Sequence, residues 1–368
     1  IGIALTNGKQ YRTTVSSIPD GTHITIGAPG LPSGTSNGGV VVRAVVLSGS
    51  DSFPVKAVPV PSNGWLVFTN NVDYVKRYNG TDCVDVPGLT TTTCVSVALF
   101  NSALFLLNTV EGGVSRPYRV RRSEIGDPTT WSGGTAGFDD LLDTVGEIVG
   151  GDRLGPYLIV YKGRTVYRGQ YVNTGGLYYQ YDAMLHGDTG EGLVAADALV
   201  NVGSYHVFLG NANVYQYYGD FSLYPLGDEI FFDLFSADAP IATDYLPNAF
   251  GIFVEGLQEV WFFYCSTGTT QADSMLRYNI KTKAWMRRKF ADKFVAAALF
   301  SSTVSITWND LVGAWADQVW TWHSRVTSGA KVPQILLCPA AGNQVFVYDF
   351  LSAKDNATQA SAVLETRD

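Results

Sequence analysis

The stretch from Phe100 to Trp131, FNSALFLLNTVEGGVSRPYRVRRSEIGDPTTW, constrains the fold most, because it reads as two strands and two turns with nothing left over. Leu104-Phe105-Leu106-Leu107 is a short apolar run, and Glu111-Gly112-Gly113 breaks it. Tyr118, Val120 and Arg122 then alternate with Arg119, Arg121 and Ser123, the period of two that sends successive side chains to opposite faces of a strand. Gly126-Asp127-Pro128 stops that strand, since proline has no amide hydrogen for a ladder and aspartate bonds its own backbone in a turn. Trp131, just beyond, is available to cap a core.

The same phrase recurs along the chain. Trp65–Thr69 is followed by Tyr74–Gly80, Tyr157–Gly163 by Thr165–Gly169, Tyr205–Gly210 by Asn213–Gly219, Glu259–Tyr264 by Ser274–Ile280, and Gln334–Cys338 by Asn343–Asp349. With the opening phrase these make about six units of roughly 40 to 60 residues, the size of four-stranded propeller blades. The expectation is an all-β, β-propeller-like array of about six blades. A pair of β-sandwiches would show similar strands and turns. The aromatic load of 13% suits blades that bury both faces, because rings cover large area at small entropic cost. The best helical window, Phe138–Gly146, lasts barely two turns.

Residues 1–62 read differently, as a small N-terminal β subdomain for docking or insertion, and the propeller is assigned to 63–368. Gly38-Gly39 leads into the apolar run Val40–Leu47, and Pro54, Pro59 and Pro61 mark 49–61 as a linker. The chain opens on Ile1 and closes on the alternating stretch Ser361–Asp368, so the polypeptide is expected to continue beyond its numbered ends.

Charge and motif narrow the function. A net charge of −8 and a pI near 5.0 argue against a dedicated nucleic-acid grip, whose affinity comes from cations on phosphates. No run of 18 apolar residues forms a membrane span. Cys83 and Cys94 flank a turn and could pair across a hairpin, with reduced thiols the favoured state; no Cys/His cluster has zinc spacing, and His23, His186, His206 and His323 are scattered. Asp139, Asp140 and Asp143 lack the glycine and distal glutamate of a calcium loop. Gly27–Gly39 lacks the ending of a phosphate loop, and Asp182, His186, Ser204 and Ser222 belong to no nucleophile elbow. The reading is therefore not an enzyme, with no catalytic residue, metal or cofactor.

Two basic clusters remain: Arg116, Arg119, Arg121 and Arg122, and then Lys281, Lys283, Arg287, Arg288, Lys289 and Lys293 around Trp285. They fit either solvated hairpin edges that discourage aggregation or subunit contacts on an acidic protein that meets its own copies. Trp308, Trp315, Trp320 and Trp322 are the feature a glycan-binding reading would use, although Trp320 and Trp322 share a strand face suited to core packing.

VKRYNGT at 75–81, ALFNSALFLLNTVEGG with RPYRVRRSEIGDPTTW, DRLGPYLIVYKGRTVYRG, VFLGNANVYQYYGD and RYNIKTKAWMRR, in that order, resemble the running signature of bacteriophage tail hub, nozzle or tubular B-type proteins. The matching positions are Arg119, Val120, Ser123, Gly126, Asp127, Pro128, Trp131, Asp152, Arg153, Leu154, Tyr278, Asn279, Thr282 and Trp285. The resemblance spans about 65 to 348. It implies a structural protein of the virion tail, assembled in the bacterial host cytoplasm, usually a hexameric ring around the DNA exit channel. Its partners would be itself, adaptor or portal-proximal proteins, and tail fibre or needle proteins, with DNA only passing through. The first 60 residues depart from the pattern. The rival function is a glycan-binding or glycan-cleaving propeller of a tail fibre or receptor-binding protein, the cleaving form needing two carboxylates about 5 to 10 Å apart.

Overall fold

The computed structural model describes residues 47–49, 54–185, 191–230, 234, 241–300, 334–341 and 345–348 with their side chains, and further short strands by backbone alone. Near the start, β1 (Gly2–Ala4) lies between β2 (Gln10–Arg12) and β5 (Val40–Val42), while β3 (Val15–Ser17) pairs with β4 (Thr25–Ile26). Near the end, β28 (Lys354–Asp355) pairs with β29 (Thr358–Gln359). The remainder of 1–46, Trp308, Trp315, Trp320, Trp322 and Ser361–Asp368 lie outside the described residues.

Between these, the chain lays down five antiparallel sheets in sequence order. Sheet 1 is β6 (Lys56–Val60), β7 (Trp65–Thr69), β8 (Lys76–Tyr78) and β9 (Cys83–Asp85). Sheet 2 is β10 (Thr92–Phe100), β11 (Ala103–Glu111), β12 (Val114–Arg122) and β13 (Gly137–Asp140). Sheet 3 is β14 (Ile148–Leu154), β15 (Tyr157–Lys162), β16 (Val166–Thr174) and β17 (Leu177–Leu185). Sheet 4 is β18 (Leu199–Asn201), β19 (His206–Leu209), β20 (Val214–Tyr217) and β21 (Tyr224–Pro225). Sheet 5 has six strands: β22 (Phe250–Val254), β23 (Glu259–Tyr264), β24 (Ala272–Asn279), β25 (Trp285–Ser302), β26 (Val332–Pro339) and β27 (Phe346–Val347).

The first strand of each sheet lies against the first strand of the next, β6 on β10, β10 on β14, β14 on β18 and β18 on β22. Meandering sheets stacked by their inner strands make a β-propeller. The expected all-β array is thus present, with five blades rather than about six among the described residues. The hairpin at 334–347 is not a separate blade. β25 is long enough to pair with β24 from Trp285 to Phe294 and then with β26 from Phe294 to Ser302, so the last hairpin extends sheet 5.

Alternation decides which seam each side chain fills. Leu104 and Leu106 face sheet 1, in a cluster with Val67, Val75, Val86 and Trp131. Phe105 and Leu107 face sheet 3, with Leu158, Val160, Tyr167 and Tyr179. Ile159 and Tyr161, one step along β15, face sheet 4. A strand buried on both faces reads as an unbroken apolar run, and each such side chain contributes about 2 kcal/mol. Sheet 5 differs: Val260, Phe262 and Tyr264 face sheet 4, while Trp261 and Phe263 turn into a second core with Phe290, Phe294, Ile335 and Leu337. The longer sheet curls over a core of its own.

Local rules account for the joints. Gly112 and Gly113 have φ of 57° and 81°, the left-handed pair that a two-residue hairpin between right-twisted strands needs. Gly151 on β14 has no room for a side chain, since a Cβ would sit 2.5 Å from the Ile159 carbonyl oxygen and 2.8 Å from Leu107. Asn108 sits at a bulge in β11, and its side-chain amide donates across the seam to the Ile148 carbonyl at 2.9 Å.

One expectation is corrected. Lys56–Val60 is not a linker but the first strand of sheet 1, paired with Trp65–Thr69, so the boundary at 62 falls too late. Pro59 is tolerated because β6 is an edge in its own sheet, where a missing donor breaks no ladder. The two-turn window at 138–146 holds no helix: Phe138–Asp140 belongs to β13, pinned to β12 from Arg119↔Asp140 to Arg121↔Phe138. Cys83 and Cys94 sit on strands of different sheets and form no disulfide; burial pushes the Cys94 thiol up to about 12.

Candidate functional site

The first basic cluster is largely turned inward. Arg119 and Arg122 are each 7% exposed. The Arg119 guanidinium makes two bonds of 2.8 Å to Asp140 and stacks 3.6 Å over the Phe138 ring. Arg121 reaches Glu111 at 2.5 Å, and Arg122 bonds Asp139 and the Thr135 carbonyl. Hydrogen bonds from Arg119 hold the Asp140 carboxyl below its ordinary range, whereas burial outweighs Arg122 and raises that of Asp139. Arg116, on the exposed first half of β12, is the member that faces solvent. The sequence signal that missed this was a partner signal: Glu111 closes the strand before the hairpin, and FDD returns two carboxylates beside β12.

The second cluster stays at the surface. Lys281, Lys283 and Arg287 are exposed, and Lys281, Lys283 and Lys293 make no ion pair among the described residues. Lys289 reaches the buried Asp273 at 3.5 Å with its side chain still 67% exposed. Arg288 donates to the Tyr348 hydroxyl at 2.9 Å and packs on Phe290. Exposed Met286, Leu299 and Phe300 share β25 with these cations.

The remaining signature positions close turns and fasten blades. Ser123 is fully buried, and its hydroxyl accepts the Leu104 amide at 3.0 Å. Asp127 accepts the Thr129 amide and the hydroxyls of Thr129 and Thr130, which depress its pKa. Pro128 is buried beside it. Trp131 crosses to sheet 1, where its indole donates to the Pro87 carbonyl at 3.1 Å. Asp152 accepts from Asn201 of sheet 4, and the Arg153 carbonyl accepts from Asn201 and contacts His206. Tyr278 packs on Trp285 with ring centres 4.6 Å apart, Trp285 donates to Leu226 of sheet 4, and Asn279 receives the amides of Lys281 and Thr282.

Sheets 1 and 5 share an Arg-Tyr-Asn strand end set over a tryptophan, at different registers, since Arg77 pairs with Val67 and Arg277 with Trp261. Trp65 lies under Arg77 at 4.4 Å and Trp261 under Arg277 at 4.8 Å, and each arginine precedes a Tyr-Asn pair whose asparagine closes a turn on its own backbone.

A cavity of about 290 Å³, lined by apolar and polar side chains together, draws on all five sheets or their connections, including Lys56, Asn70, Asn108, Glu147, Asp197 and Pro247. Lys56 crosses from sheet 1 to pair with Asp197 at 3.3 Å and donates to the Ala196 carbonyl. Lys162, at the end of β15, is fully buried, donating to the carbonyls of Leu141 and Thr144, and burial lowers its pKa. His206 is also buried, against the Tyr161 hydroxyl at 2.9 Å, and burial lowers its pKa. These groups tie loops and seams together. No cluster of three or more metal-ligating side chains occurs among the described residues, and no helix there is long and apolar enough to cross a membrane.

No family model matches the chain, and no curated protein matches it. Among solved structures it is similar to the dihydro-heme d1 dehydrogenase NirN, at 10% identity and a TM-score of 0.41 over 67% of this chain and 49% of that one. It is also similar to BamB from Moraxella catarrhalis, at 10% identity and a TM-score of 0.40 over 72% of this chain and 74% of that one. The chain spans about half the length of the first. The propeller assignment rests on the order and stacking of the five sheets themselves.

Proposed function

We propose that the chain is a structural subunit of a bacteriophage tail, of the hub or nozzle kind, forming a ring around the DNA exit channel and joining neighbouring tail parts. The observation that carries the reading is the role of the resembling positions. Ser123, Asp127, Trp131, Asp152, Tyr278, Asn279 and Trp285 build turns and dock one blade on the next, from sheet 1 to sheet 5. A likeness carried by fasteners is a likeness of scaffold, running through most of the array. The net charge of −8 suits a conduit, because weak contacts let a polyanion pass where a cationic lining would retain it. Exposed Arg116, Lys281 and Lys283 are then available for contacts with copies of the chain or with other tail proteins.

The test is the mass of the purified full-length protein in solution with negative-stain images of what it forms. Rings of about six subunits, or a monomer that forms rings only with a tail or portal component, are the expected result. A strictly monomeric protein that binds or cleaves a host polysaccharide would overturn the reading in favour of a receptor-binding propeller.

A further inference from the structure

The outer edge of sheet 4 exposes three aromatic rings together: Tyr218 is 49%, Phe221 73% and Tyr224 44% exposed. The two tyrosines are held rather than loose. Tyr218 stands 5.3 Å from Tyr205 and 5.5 Å, edge-on, from Tyr224. The Gln216 amide donates to the Tyr218 hydroxyl at 2.6 Å, and the Tyr224 hydroxyl donates to Asp220 at 3.3 Å. Preorganised tyrosines of this kind lose little entropy on contact and are frequent anchors of protein interfaces. Exposed Asp228 and Glu229 and half-exposed Asp220 give the edge a negative charge.

A cationic surface adjoins it. Trp285 donates to Leu226, which brings the hairpin carrying Lys281 and Lys283 alongside the aromatic edge. The Tyr278 hydroxyl, raised first by burial and then by the charges of Glu229 and Tyr218, reports the same closeness. Six of the chain's 25 cations lie between Lys281 and Lys293, whereas the arginines of β12 are mostly spent within their own sheet.

We propose that these adjoining surfaces form a self-complementary contact between two copies of the chain, the aromatic, acidic edge Tyr218–Glu229 of one receiving Lys281 and Lys283 of the other, and the reverse. Lysine stems lie along aromatic faces while their ammonium groups meet ring quadrupoles and carboxylates, so the edge fits a cationic hairpin in shape and in charge. Because donor and acceptor surfaces sit side by side, a two-fold axis makes the contact twice, as in an isologous dimer. This goes beyond the ring reading, since head-to-tail contacts around a ring are of the other, heterologous kind.

The experiment measures the mass of the full-length protein across concentration and salt, for wild type, Lys281→Glu/Lys283→Glu, Asp228→Lys/Glu229→Lys, the two sets combined, and Phe221→Ser. A two-fold pair is expected, weakened at least about tenfold by either charge reversal or by Phe221→Ser, and restored when the reversals are combined. All the altered side chains are exposed, and thermal unfolding unchanged from wild type at a concentration where every variant is unpaired checks that each folds. Pairing that ignores the reversals, or reversals that weaken it without recovery on combination, would overturn the proposal. So would rings assembled from protein that never pairs, and that result would leave the conduit reading standing. Pairing that survives while no ring forms under any condition supports this contact and removes the conduit. Loss of polysaccharide binding in Phe221→Ser, with mass unchanged, would make the edge a glycan platform and overturn the contact.

Discussion

The two basic clusters look alike as sequence and behave oppositely in the fold. On β12, Arg119 and Arg122 are 7% exposed and locked to Asp140 and Asp139, so their charge is consumed inside sheet 2. On the hairpin before β25, Lys281 and Lys283 reach solvent with no ion pair among the described residues. Side-chain chemistry fits each place: a planar guanidinium satisfies a carboxylate with two parallel bonds, while a hydrated ammonium on a flexible stem suits an open turn. A count of cations therefore says little about a binding surface until the carboxylates across the ladder are counted too.

The contrast predicts a ladder of effects. The largest belongs to the seam behind the buried cluster: Trp131→Ala empties a site 7% exposed and breaks the bond to Pro87, and should cost about 3–4 kcal/mol in urea unfolding. Next, Arg122→Ala strands the half-buried Asp139 and should cost about 2–3 kcal/mol, less than a fully buried pair because Asp139 keeps some solvent. A loss near zero would mean that the arginines are merely solvated edges.

The pH dependence separates the two carboxylates of the pair. Asp140 has its folded pKa depressed by Arg119, so its stabilisation is present above the unfolded value near 3.9 and is lost as pH falls through the lower folded value. Asp139 has its folded pKa raised by burial, so the folded state gains relative stability as pH falls from the raised value toward 3.9. Asp140→Asn should therefore cost more at pH 7 than at pH 3, and Asp139→Asn should show the reverse trend. Parallel pH profiles for the two variants would contradict the assigned environments. The smallest effect is expected at the open cluster, where Lys281→Glu/Lys283→Glu should change unfolding of the unpaired protein by less than about 0.5 kcal/mol. A larger loss would show that those lysines support the fold and do not wait for a partner.

Much of the architecture was legible because it depends on local periodicity. The apolar run Leu104–Leu107 and the alternation through Tyr118–Ser123 mark strands buried on both faces or on one, and Gly112-Gly113 and Asp127-Pro128 mark turns whose dihedrals few other residues adopt. The last hairpin was misjudged as a blade because its own pattern is that of a blade, and its attachment depends on β25 running 18 residues without a break. Pro59 misled in the same way, since a proline marks a linker or an edge strand equally well. The aromatic edge of sheet 4 is not legible in the sequence although YYGDFSLYP crowds four rings into nine residues, because alternation does not say which rings of a short strand reach solvent.

By itself, then, the chain's order of residues determined an all-β array of repeating hairpins, an acidic surface, and the turn residues that hold the hairpins closed. These follow from backbone sterics and from a two-residue period, which act within a few positions of one another. Only the tertiary structure decided that there are five described blades, that the β12 arginines face Glu111, Asp139 and Asp140, and that Lys56 of sheet 1 meets Asp197 in the connection into sheet 4. Those outcomes depend on which sheet packs on which, and the desolvation that settles a charge's role is set by neighbours more than a hundred residues away, as between Lys56 and Asp197.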